Sequence, residues 1–174
     1  MKNALLFLLT SFYYFFAYSQ SESDIAYIRS IVEKTNADSK NYQTAILKSD
    51  QGLSAEGNEI TVYTEQLNEI KLIKEIYFGE MGKTVISNYI EDNHPVFIFK
   101  EYYTYKFSIT SKEFNSNDFT KSEERFYLKN DRIIKWMKDK KTLKTYPKNA
   151  ASIESNMMEH VASLITQFEK ENKE

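Results

Sequence analysis

From Asn58 to Lys138 the chain repeats one pattern, a run in which apolar and polar side chains alternate, followed by a link of a few residues. In an extended backbone, alternation sends successive side chains to opposite faces, and the runs are rich in the β-branched and aromatic residues that suit a pleated surface. The pattern predicts strands at Ile60–Glu65, Ile70–Phe78, Thr84–Glu91, Val96–Phe107, Ser122–Lys129 and Arg132–Lys138, with a further short one at Tyr42–Leu47. The links Gly79–Lys83, Asp92–His94 and Asn130-Asp131 carry residues that tolerate unusual backbone angles. A parallel return needs a crossover of a dozen or more residues, so strands joined this closely must run antiparallel. A curled meander of about six strands is therefore expected.

Helical periodicity flanks this region. Ser21 or Ser23 can cap a first helix whose Ile25, Ile28, Ile31 and Val32 share one face and which ends near Thr35–Ala37, before a polar loop over Asn36–Asn41. After Pro147, Ile153, Met157, Val161, Leu164, Ile165 and Phe168 form one apolar stripe, with a charged tail beyond it expected to fray. That stripe needs a cover, and one face of the sheet is the natural one. The fold class is α+β: N-terminal helix, antiparallel meander, and C-terminal amphipathic helix packed on the sheet.

The chain opens with Lys2, an apolar run from Ala4 to Ala17, and Tyr18-Ser19-Gln20. A positive start, an apolar block and small residues at Ala17 and Ser19 match a cleavable export signal over 1–19, leaving a single domain over 20–174. The block falls short of the roughly 20 apolar residues that span a bilayer. A periplasmic or extracellular location follows, with no membrane span after cleavage. The remaining 155 residues suffice for one core, and 19 of the 26 aromatics fall within them. With no cysteine, packing and not disulfides must hold this domain. Its 22 basic and 25 acidic residues are interspersed, unlike the basic stripe of a nucleic-acid binder.

Catalytic motifs are absent. His94 and His160 have no metal-ligand spacing, so no metal or cofactor is expected and both histidines are assigned structural roles. Ser54 in Gly52-Leu53-Ser54-Ala55-Glu56-Gly57 misses the nucleophile-elbow spacing by one residue. Glu56, Glu75, Glu80, Glu91, Glu101, Glu123 and Glu124 are expected on a solvated sheet face, paired with lysines such as Lys71, Lys74, Lys100 and Lys106. The polar connection Ser108–Lys121 is long enough for a lid.

The aromatics offer more. Alternation puts Phe97, Phe99, Tyr103, Tyr105 and Phe107 on one face and Val96, Ile98, Tyr102 and Thr104 on the other, the signature of a central strand covered on both sides. Tyr103, Tyr105, Arg125, Tyr127 and Trp136 are the candidate ligand-binding residues, forming an apolar wall with polar tips.

Several of these residues recur together: Ser54-x-Glu56-Gly57-x-Glu59, Tyr77-Phe78-Gly79-Glu80-x-Gly82-Lys83, Tyr89, Phe97 and Phe99, and Arg125-Phe126-Tyr127-x-x-Asn130-Asp131-x-x-Ile134-x-Trp136. Over Ser54–Trp136 the chain resembles a group of small exported proteins of Bacteroidota, whose signal peptides often end just before a glutamine, as at Gln20. It departs from them at Asp92-Asn93-His94-Pro95, where they tend to have a glycine-containing turn. The resemblance implies export and a meander and carries no activity. The functional expectation is a non-enzymatic module that binds a protein, peptide or small apolar ligand through its aromatic sheet. The alternative is a hydrolase of envelope or extracellular polysaccharide using two carboxylates near the long loop. Intact mass of the exported protein should place its first residue at Gln20; a mature chain retaining residues 1–19 would contradict the assigned signal.

Overall fold

Three two-residue turns set the geometry of the sheet. In Asp92-Asn93, Asn130-Asp131 and Asp139-Lys140 both residues have positive φ, between 46° and 67°, the primed-turn conformation whose twist matches that of paired strands. The computed structural model describes residues 22–48, 56–66 and 69–172; the expected export signal and Ser54 lie outside them. A first helix, α1, covers 22–38 and is followed by a short 3-10 turn at Ser39–Asn41. Then come β1 Gln43–Leu47, β2 Asn58–Thr64, β3 Ile70–Gly79, β4 Gly82–Glu91, β5 His94–Tyr105, β6 Phe119–Lys129, β7 Arg132–Lys138, β8 Lys141–Thr142 and the C-terminal helix α2, Ala150–Glu171.

The eight strands pair in chain order, every pair antiparallel. The meander is thus an open sheet with two strands more than the six counted from alternation; β1 matches the short Tyr42–Leu47 strand. β8 is short and hangs on a turn that places Lys140 at φ 67°, a conformation not foreshadowed by a lysine. α2 runs through Glu171, so the charged tail stays helical for three residues past Phe168.

Each face of the sheet has its own core. α2 buries Met157, Val161, Leu164, Ile165 and Phe168 against Val62, Ile73, Ile98, Phe126 and Trp136 on what is here called the α2 face. On the opposite α1 face, Ile25 and Ile28 pack on Leu72, Tyr89, Phe97 and Tyr127. β5 therefore carries buried residues on both sides, as its two apolar sets require. Within β5 one residue departs from simple alternation: a register shift beside Tyr89 places Val96 with the Phe97 core and not with Ile98.

α1 lies across the strands at the end bearing the Asp92-Asn93 and Asn130-Asp131 turns. Lys129 Nζ reaches both Asp24 oxygens at 2.8 Å, and the Tyr89 hydroxyl donates to Asn36 Oδ1 at 3.0 Å. At the other end, Gly82 sits so close to β5 that a Cβ would lie 2.0 Å from the Tyr103 carbonyl oxygen. Gly79, across the same turn, has its nearest obstacle at 3.6 Å. Chemical denaturation should show Gly82→Ala costing about 2–3 kcal/mol through backbone displacement while Gly79→Ala costs well under half as much; equal losses would remove the steric explanation.

Candidate functional site

Two polar clusters occur on the sheet, one beneath the middle of α2 and one beyond the apolar contacts on the α1 face. The first lies on the α2 face. Glu75, in the middle of β3, is 0% exposed, and three groups converge on its carboxylate. Asn88 Nδ2 donates to Oε1 at 2.7 Å, the Tyr77 hydroxyl donates to Oε2 at 2.5 Å, and His160 Nε2 of α2 lies 2.6 Å from Oε2. Lys100 of β5 sits nearby, its Nζ 5.6 Å from the Phe126 ring centre, and the Tyr102 hydroxyl donates to Glu124 Oε2 at 2.9 Å.

The electrostatics follow from burial and these contacts. Burial alone would raise the Glu75 carboxyl, but the bonds from His160, Tyr77 and Asn88 overcome it and hold the group below its usual range. The same bond to Glu75 raises His160 against the opposing effect of its burial and of Lys100. Desolvation lowers Lys100 despite Glu124 and Glu75. Burial, then the adjoining carboxylate, drives the Tyr77 and Tyr102 hydroxyls upward. This cluster corrects the expectation that Glu75 belongs to a solvated, lysine-paired face. Its partner is a histidine 85 residues away, which no local pattern signals.

The second cluster lies on the α1 face. The apolar cluster on this face extends as far as Phe99 and Met137; beyond it Tyr103 and Tyr105 belong to neither core. Arg125 Cζ stands 5.1 Å from the Phe99 ring centre and Nη2 pairs with Glu123 at 2.8 Å. Lys121 pairs with Glu101, whose carboxylate also accepts from the Tyr103 hydroxyl at 3.2 Å. Lys83 and Lys121 approach the Tyr103 ring at 5.2 and 5.4 Å. Phe119 meets Tyr103 edge-on at 5.1 Å and Phe114 meets Tyr105 at 5.2 Å.

Of the five predicted binding residues, the structure brings Tyr103, Tyr105 and Arg125 together, half-buried on this open half-face. It separates the other two. Tyr127 is 6% exposed beneath α1, and Trp136 is 3% exposed in the α2-side core, its ring tilted against Phe126 with centres 4.8 Å apart. The reason is register: Trp136 pairs directly with Phe126 and shares its face, so it cannot share a face with adjacent Tyr127. The long connection is a chain of turns between Lys106 and Asp118, tied by Ile109 N–H to the Glu80 carbonyl at 3.0 Å. Met81, Ile109 and Phe119, left exposed at this end of the sheet, were not singled out by alternation.

A cleft of about 580 Å³ opens elsewhere, between α1 and the Asp92-Asn93 and Asn130-Asp131 turns. Among the described residues no group of three metal-ligating side chains comes together, and no helix is long and apolar enough to cross a membrane. No protein-family model, curated protein or solved structure matches this chain.

The Glu75–His160 pair makes stability depend on pH in a defined way. A lowered Glu75 contributes fully above its ordinary 4.5 and loses that contribution as pH falls through its depressed value. A raised His160 contributes fully below its ordinary 6.5 and loses it as pH rises through its elevated value. Because the His160 side chain is 34% exposed, solvent screening makes the alkaline loss modest. Thermal melts across pH should show a plateau between those two reference values, and His160→Gln should flatten the alkaline limb; an unchanged limb would assign it to another group.

Proposed function

We propose that this chain is an exported, non-enzymatic binding module that engages a protein partner across the open half of the α1 face. The observation that carries this reading is the placement of Tyr103, Tyr105 and Arg125 outside both cores on a rigid strand framework. Residues kept out of the cores contribute little to folding, yet tyrosine and arginine with an apolar surround are the side chains that dominate protein interfaces. Exposed Met81, Ile109 and Phe119 lie at the same end and enlarge the apolar share of the surface. Export rests on the signal-like residues 1–19.

Polysaccharide hydrolysis by paired carboxylates is less well supported. Glu101 and Glu123 do oppose each other on β5 and β6, but each is engaged by a cation, Lys121 and Arg125, on an open face. Nothing in that arrangement places a substrate between them as an acid and a nucleophile would require.

A photo-reactive amino acid at Phe119, used in the cells that make the protein, should yield a discrete cross-linked species that disappears with Tyr103→Ser or Arg125→Gln. Tyr103→Ser should cost about 1 kcal/mol of stability and Arg125→Gln, which leaves the mostly covered Glu123 carboxylate without its cation, about 2 kcal/mol, against about 3–5 kcal/mol for core Trp136→Ala. Absence of the species, or its survival in both variants, would overturn the proposal.

A further inference from the structure

The geometry points to a second binding site, the cleft beside α1, suited to a small organic cation carrying an apolar body. It lies at the opposite end of the sheet from Tyr103 and is independent of the proposed partner surface. The cavity itself carries the argument: at about 580 Å³ it falls within the range of small-molecule sites. Its apolar lining comes from Ile28 of α1 and from Pro95 and Val96 of β5. Ile28 is 3% exposed and belongs to the α1-side core, so this lining is preformed.

The rim determines the charge of the occupant. Asp24, Glu91, Asp92 and Asp131 line it against a single lysine, Lys129, and one histidine, His94. Lys129 is spent on both Asp24 oxygens at 2.8 Å, and His94 Nδ1 lies 2.9 Å from Asp131. What remains is one corner, where Glu91 and Asp92 stand beside Tyr27. That tyrosine is 57% exposed yet held in place by its hydroxyl, which donates to Glu91 Oε1 at 2.7 Å. An aromatic face next to carboxylates is the chemistry that recognises an ammonium group, by cation–π attraction and by charge. An alkyl tail then has the apolar lining to occupy. An anion would meet the same carboxylates unfavourably.

The test uses the mature protein, amide-resolved NMR and three probes of one shape: hexylammonium chloride, sodium hexanoate and hexanol. Hexylammonium should produce saturable shifts in the amides of Glu91–Val96 and Lys129–Asp131, with a midpoint on the order of 1 mM. Hexanoate and hexanol should bind at least tenfold more weakly. Asp92→Asn suits the positive φ of that position and should weaken hexylammonium severalfold, and combination with Tyr27→Leu should abolish its binding. The spectra of both variants report directly that they remain folded. Equal binding of the three probes, no saturable shift with hexylammonium, shifts confined to the Tyr103 face, or unchanged affinity in the variants would each overturn the inference.

Discussion

Everything in this molecule follows from strands that are apolar on both sides at one end. Tyr89 and Ile90, Phe97 and Ile98, and Phe126 and Tyr127 are adjacent residues buried on opposite faces. An antiparallel sheet usually leaves one face to water; this one cannot. Two covers are needed, and the chain supplies one from each terminus. Polar clusters interrupt the two cores: Glu75 with His160, Tyr77 and Asn88 beneath the middle of α2, and Arg125, Glu123, Glu101 and Lys121 beyond the apolar contacts of the other face.

The two clusters do different physical work. Each buried apolar side chain of α2 is worth roughly 1.5–3 kcal/mol, so the five it buries outweigh any one polar contact beneath them. Aliphatic stripes, however, discriminate poorly between alternative offsets. The bond from His160 to a fully buried carboxylate does discriminate, since sliding α2 by a turn would leave the Glu75 charge without its cationic partner, a costly state. Apolar packing supplies the strength of the junction and the ion pair supplies its register. On the α1 face Lys121 reaches solvent while the Glu101 and Glu123 carboxylates are mostly covered, and the cations lie over the Tyr103 and Phe99 rings, so the cluster fixes the attitude of side chains along the rim of the core.

How far the sequence foretold this depends on the range of the interaction. Strand positions were legible from alternation, and the α2 stripe from its 3.6-residue period, because both are properties of neighbouring residues. Side-chain parity within β5 was legible too, apart from Val96, which a bulge displaces. Parity between strands was not. Whether Trp136 joins Tyr127 or Phe126 depends on which residues oppose across β6 and β7, and a shift beside Leu128 intervenes. Burial of Glu75 was likewise hidden, because a glutamate among lysines looks solvated until α2 arrives with His160. β8 escaped notice because Asp139-Lys140 lacks the glycine or asparagine that usually marks such a turn.

The strictly sequential pairing order has a kinetic corollary. A ladder in which every strand joins only its predecessor is assembled by closing short loops, so its contact order is low for a β-rich protein and its entropic barrier correspondingly small. The helices differ: α1 must meet Lys129 across 105 residues and α2 must meet Glu75 across 85. The topology thus separates a core ladder that can zip locally from two terminal clasps that must search over most of the polypeptide.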